Sequence, residues 1–319
     1  MATVDRHEGV LVGCAQMADF VATSPVAADV TPVAEMIAAL QCSLYPGSAF
    51  SRADLEHDWS DLNLRRDARV VREGDRIVGY GAVHSQGDSW LAEGCVHPER
   101  CGRGIGRLIA EELEEQAVRN GALRVQSTVF EADLAGRRLL KALGYREVRT
   151  FRELRIELDG PPRPPAWPVG LSITAFDPGH QAPAFHAAQQ EAFADHWDHT
   201  PLDLETWSKR TLQSPRFDPG LWCVVRDGGE IAAGMICTGD TYGGGWIEAL
   251  FTRRPWRARG IAAALLLEAF GRFWQRGERS VGLGVDTANE TGAFRIYERA
   301  GMIPVLGLAV YEKRVAAGA

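Results

Sequence analysis

The residues whose types and spacing best suit chemistry are Arg257-Ala258-Arg259-Gly260-Ile261-Ala262. They follow an apolar run, WIEALFT, and open a stretch, AAALLLEAFGRFW, of strong helix formers with one apolar face. The first turn of a helix leaves backbone N–H groups unpaired, and the aligned peptide dipoles add partial positive charge there. Small residues let a bulky anion approach that backbone, so strand, glycine turn and helix together make a phosphate cradle. Arg257 and Arg259 add charge at its rim. The Gly-Lys-Ser/Thr ending of a nucleoside-triphosphate loop is absent. A second copy of the turn reads Cys101-Gly102-Arg103-Gly104-Ile105-Gly106, with a cysteine in place of Arg257.

The turn at 257–262, preceded by Pro255 and Trp256, resembles the pyrophosphate-binding motif of the GNAT superfamily, Arg/Gln-x-x-Gly-x-Gly/Ala. Residues 285–302, VDTANETGAFRIYERAGM, resemble that family's second block: a strand, an asparagine near a helix start, and a tyrosine four residues before a glycine. The resemblance covers nearly all of the chain in layout and these two blocks in specific residues. It implies that Arg257, Ala258, Arg259, Gly260, Ile261 and Ala262 hold the pyrophosphate of acetyl-CoA. It places the backbone of Leu250, Phe251 and Thr252 against the pantetheine arm and the thioester carbonyl. Asn289 is implied in cofactor contact, and by position it also suits a helix cap. Tyr297 is the implied proton donor to the leaving thiolate, a task that suits a neutral phenol of pKa about 10.

The same resemblance implies a second CoA site at Val96, Gly102, Arg103, Gly104, Ile105 and Gly106, weakened by Cys101. Counting four back from Gly144 gives Leu140 where the other copy has Tyr297. Leucine donates no proton, so the C-terminal copy is expected to be catalytic. The N-terminal copy is then structural, regulatory or vestigial.

A protonated amine is not a nucleophile, so a base is also needed. Glu248 stands on the strand that enters the cradle, and unbroken alternation predicts that Glu248, Leu250 and Thr252 share one face. On the acceptor side, Glu191, Asp195, His196 and Trp207 mix acids with aromatics in a way that suits a cationic amine. The expectation is an acetyl-CoA-dependent N-acetyltransferase acting on a primary amine of a small molecule or peptide. Two alternatives stay open. One is acetylation of an aminosugar-cysteine thiol precursor, as by mycothiol synthase, which has a similar tandem layout. The other is a non-catalytic acyl-CoA-binding regulatory module.

The elements that must position these residues occur twice. VVREGDRIVG at 70–79 and VVRDGGEIAA at 224–233 are both hairpin signatures, and Gly104 aligns with Gly260 and Gly144 with Gly301. The seam is ELDGPPRPPAWPVG at 157–170, too rich in proline for helix or central strand. The predicted domains are therefore 1–163 and 164–319. Each has an early helical region, a hairpin, a third strand, the motif helix, and then strand, helix and strand. That order predicts an α/β (α+β) fold with a mixed, mostly antiparallel sheet flanked by helices.

Of the 319 residues, 45% are hydrophobic and 24% charged, as in ordinary globular chains. The formal net charge of −7 argues against a nucleic-acid partner. No apolar run reaches membrane-spanning length, and no signal-peptide pattern opens the chain. The six cysteines form no Cys-x-x-Cys pair, which predicts reduced thiols and a cytoplasmic setting. His196 and His199 lack further ligands by local spacing, so no metal is expected. A monomer or homodimer is anticipated.

Overall fold

A computed structural model describes residues 20–44, 50–86, 89–241, 243–288 and 292–315. Its N-terminal half runs β1 (Val21–Thr23), α1 (Val30–Leu44), α2 (Arg52–Ser60), α3 (Leu64–Asp67), β2 (Ala68–Glu73), β3 (Arg76–Gln86), β4 (Ser89–Val96), α4 (Ile105–Arg119), β5 (Arg124–Phe130), α5 (Leu134–Ala142) and β6 (Arg146–Glu157). The C-terminal half repeats this order, with two helices instead of three after its first strand. It runs β7 (Leu171–Ala175), α6 (Pro178–Phe193), α7 (Leu204–Thr211), β8 (Cys223–Asp227), β9 (Glu230–Thr241), β10 (Gly244–Thr252), α8 (Ile261–Gln275), β11 (Ser280–Asp286), α9 (Ala293–Arg299) and β12 (Ile303–Arg314). The proline-rich stretch between β6 and β7 is irregular, as its composition requires.

All the described strands join one twelve-stranded sheet in the order β1-β2-β3-β4-β5-β12-β6-β11-β10-β9-β8-β7. Only β4 with β5 and β10 with β11 run parallel. The sheet is therefore mixed and mostly antiparallel, as expected. At its centre the halves interlace. The last strand of the chain, β12, lies between β5 and β6, while β6 in turn lies against β11.

Alternation along the strands sends neighbouring residues to opposite faces. In the N-terminal half Val70 packs with Val33, Leu55 and Trp59 of α1 and α2. Its neighbour Val71 packs with Ile105, Ile109 and Leu113 of α4. The C-terminal core joins Phe185 of α6, Trp207 of α7 and Trp222 to Leu265, Ala269 and Phe273 of α8.

The motif helices begin alike. Gly104 (φ 88°) and Gly260 (φ 84°) are their left-handed N-cap residues, a conformation in which a Cβ would be strained. Nothing lies within 4 Å of where that Cβ would be, so the backbone there is open to a ligand.

Candidate active site

The parallel strands β10 and β11 pair only from Gly245↔Val281 to Ile247↔Leu283. Beyond that register they part, and a cavity of about 480 Å³ opens between them. Its walls are residues 247–252 of β10, Leu283 to Asp286 of β11, the start of α8, and Ala293, Ile296 and Tyr297 of α9. On its other edge β10 stays bonded to β9 as far as Thr252↔Ala233. The edge of Leu250, Phe251 and Thr252 that faces β11 carries no strand ladder, so backbone groups there, apart from the Thr252 carbonyl that Arg257 holds, are available to an extended ligand arm. The Thr252 Oγ1 atom is buried without a hydrogen-bond partner.

At one end of the cavity lies the cradle. Ala258, Gly260, Ile261 and Ala262 line it. The first helical bond runs from Ala264 N to Gly260 O at 3.1 Å, so the preceding amides of α8 are the unpaired donors of an anion site. The neighbouring arginines are occupied by protein. Arg257 donates to Ala192 O (2.9 Å) and Thr252 O (3.2 Å) and meets Asp195 at 3.3 Å. Arg259 lies 3.6 Å from Asp227 and outside the cavity lining. The cradle thus relies on backbone donors, with Arg257 locking the turn onto the end of α6.

Tyr297 lines the cavity from α9. Burial pushes its hydroxyl up to about 12, and among the described residues that hydroxyl has no hydrogen-bond partner. Glu248 lines the same cavity from β10. Its side chain is solvent-exposed at the cavity, though protein atoms crowd around it. Burial pushes its pKa up, while Thr238, Trp246 and the Arg216 guanidinium pull the other way. Thr238 Oγ1 donates to Glu248 Oε1 at 3.3 Å.

The register of β10 shifts between Ile247 and Ala249, so Glu248 sits in a β-bulge. This corrects the alternation expected from sequence. A Cβ on Gly245 would meet Phe273 of α8, whereas Phe251, an even number of residues on, packs against Phe185 of α6. The faces have switched, and Glu248 turns towards Thr238 rather than sharing the side of Leu250 and Thr252. The equivalent strand β4 pairs with β3 without a register shift.

Of the acceptor-side residues, only His196 lines the cavity. Burial, His199 and Arg257 hold its pKa below the usual range, so it stands neutral at pH 7. Asp195 is held by Arg254 and Arg257, and Glu191 meets Arg253 at 2.7 Å. Trp207 is a core residue whose Nε1 donates to Gln189 Oε1 at 2.7 Å. Asn289 lies outside the described residues. Sequence reasoning missed the contribution of β6. Phe151 lines the cavity from the N-terminal half, and Arg149 bonds Asp286 on the cavity wall at 2.6 and 2.9 Å. Only strand pairing across the halves brings these residues there.

The N-terminal copy has its own cavity of about 430 Å³, lined by Val96, Cys101, Gly102, Gly104 and Gly106. Leu140 lies on its wall where the other cavity has Tyr297. Tyr145 also lines it, but its hydroxyl is engaged with Glu114. Arg103 is drawn off to Glu73 at 2.8 Å, and Ile105 is buried in the core.

Comparison with known proteins agrees with this geometry. The sequence model of the acetyltransferase (GNAT) family matches residues 34–145 and again 182–302. A mycothiol acetyltransferase of Thermobispora bispora is 32% identical over 73% of this chain and 78% of its own length. One from Streptomyces coelicolor is 28% identical over 79% and 84%. Among solved structures, a GCN5-related N-acetyltransferase from Sphaerobacter thermophilus is 34% identical, with a TM-score of 0.76 over 92% of this chain and 95% of that one. A tandem GNAT protein from the clavulanic acid biosynthesis pathway shares the fold at 17% identity, with a TM-score of 0.72 over 94% and 99%.

Proposed function

The chain belongs to the GNAT acetyltransferase family and is an acyltransferase, and from that premise we propose that its C-terminal half transfers an acetyl group from acetyl-CoA to a primary amine. The observation that carries this reading is the convergence of Glu248, Tyr297, the unladdered edge of β10 and the open N-terminus of α8 on one cavity. Acetyl-CoA, when bound, supplies an acyl thioester. The features that fit it are the amide cradle for a pyrophosphate, the free strand edge for an extended amide-bearing arm, and the orphaned Thr252 hydroxyl.

Glu248, once ionised, takes a proton from the incoming ammonium and leaves a nucleophilic amine. The β10 backbone beyond the bulge is placed to polarise the carbonyl under attack. As the carbon–sulfur bond breaks, Tyr297 gives its hydroxyl proton to the departing sulfur. Its high pKa keeps that proton in place until then. Leu140 leaves the N-terminal cavity without such a donor, so that half is assigned no transfer step.

The name shared by the relatives makes an aminosugar-cysteine thiol precursor the first acceptor to try. The setting that suits such chemistry is the cytoplasm. The test is acetyl-CoA-dependent thiol release over that precursor, other aminosugars, small amines and peptides, for wild type beside Tyr297→Phe. We expect release with at least one acceptor and a fall of about tenfold or more in the variant, roughly 1.4 kcal/mol of barrier. Equal rates would remove Tyr297 as the acid. Acetyl-CoA binding with no release from any acceptor would favour a binding module instead.

A further inference from the structure

Asp240 stands near the end of β9 with φ 48°, a left-handed conformation that aspartate takes more readily than most non-glycine residues. Both of its backbone polar groups are tied down by side chains. Its N–H donates to Glu278 Oε1 at 3.0 Å, and its carbonyl accepts from Arg216 Nη1. Arg216 is itself held by a two-pronged contact with the other half of the chain. Its Nε and Nη2 donate to the two oxygens of Asp54, at 2.8 and 2.7 Å. Asp54 lies in the first turn of α2 and also accepts from Ser51 N (2.8 Å) and Ser51 Oγ (2.7 Å). Burial acts to raise its pKa, but Arg216 and Ser51 outweigh it and hold the carboxyl below the usual aspartate range.

Two residues before Asp240 on the same strand is Thr238, the donor to Glu248. One continuous set of contacts therefore runs from the capping box of α2 in the N-terminal half, through Arg216 and the left-handed end of β9, to the carboxylate in the C-terminal cavity. The fork is largely buried, with the Arg216 and Asp54 side chains 22% and 14% exposed. It is thus not the solvated surface pair that contributes little. The groups acting on or titrating beside Glu248 are Thr238 and Cys237 on β9, Trp246 on its own strand, and Arg216, while His196, Arg257, Asp286, Tyr297 and Arg299 share its cavity. Behind the hydrogen bonds from Thr238 and Trp246, the Arg216 guanidinium also favours the charged form of Glu248.

We infer that Asp54 and Arg216 are positioning residues through which the N-terminal half acts on the reaction of the C-terminal half. They fix the end of β9 and with it Thr238, the donor to Glu248, so that this carboxylate is aimed when the amine arrives. The inference rests on the reading of Glu248 as the base.

The test uses the full chain without acceptor. Infrared difference spectra, wild type minus Glu248→Gln, follow the carboxyl C=O stretch of Glu248 through pH. In Arg216→Ala the midpoint is expected to move to higher pH, because the cation that favours the charged form is gone. Arg216→Lys keeps the charge and should hold the midpoint near wild type. Asp54→Asn should speed amide exchange at residues 238–240 about tenfold, with β3 unchanged. An unmoved midpoint in Arg216→Ala together with unchanged exchange in Asp54→Asn would overturn the inference while leaving Glu248 as the base. With an acceptor in hand, the acid limb of thiol release should follow the infrared midpoint. A midpoint that moves while the limb does not would instead sink the reading of Glu248, and the catalytic meaning of the contact with it.

Discussion

Glu248 and Tyr297 face the same cavity, and burial acts on both in the same direction. For a carboxyl, burial disfavours the charged form, so Glu248 titrates above an ordinary glutamate despite the counter-pull of Thr238, Trp246 and Arg216. The base must be ionised to take a proton. Activity should therefore fall as pH drops through that raised pKa, at a pH above the usual glutamate value of about 4.3. For Tyr297 the protonated form is the useful one. With its pKa pushed up to about 12, it stays protonated through the neutral and mildly alkaline range. A pH profile of kcat/KM should show an acid limb from Glu248 and no alkaline limb from Tyr297 in that range. Glu248→Gln should lower kcat/KM by roughly 10²–10⁴ and remove the acid limb. If the limb survives in that variant, another group is the base.

The turn that leads into α8 carries a strain that the sequence alone does not declare. Ala258 has φ 61°, where the matching residue of the other half is Gly102 at φ 77°. A left-handed L-residue costs about 1–2 kcal/mol, and a glycine costs about 0.5–1 kcal/mol in unfolded-chain entropy. Ala258→Gly should therefore stabilise the protein by on the order of 0.5–1 kcal/mol in chemical denaturation. Gly260→Ala, at φ 84° with open space around its Cβ, should destabilise it by about 1–2 kcal/mol through backbone strain alone. A loss from Ala258→Gly would mean that its methyl group packs usefully. The elements themselves were legible in the sequence, because hairpins, motif helices and the glycine before each helix are local patterns. The bulge at Glu248 was not. It is a change of register against β9, visible only once the partner strand is in place, and it turned the predicted face of that one residue. For the same reason Asp195 and Glu191 read as acceptor groups in sequence, when their partners Arg254 and Arg253 lie some sixty residues away.

At the scale of the whole molecule, the duplication was legible but the interlacing was not. Nothing in β12 marks it as the neighbour of β5, because strand pairing across the halves leaves no local trace. The consequence is that neither half owns a complete sheet. Residues 1–163 end with β6, whose two neighbours, β12 and β11, both come from residues 164–319. The C-terminal half likewise loses the strand that separates β11 from β12, together with Phe151 and Arg149 at its cavity. Each fragment alone exposes unpaired strand edges, a state prone to aggregation or mispairing. Expressed separately, the fragments should therefore fail to give the cooperative melt of the full chain. Expressed together, they should copurify as a one-to-one complex and recover thiol release. If residues 164–319 alone were monomeric, melted at the temperature of the full chain and transferred at its rate, the interlaced centre would be dispensable, and the catalytic half would owe nothing to its partner.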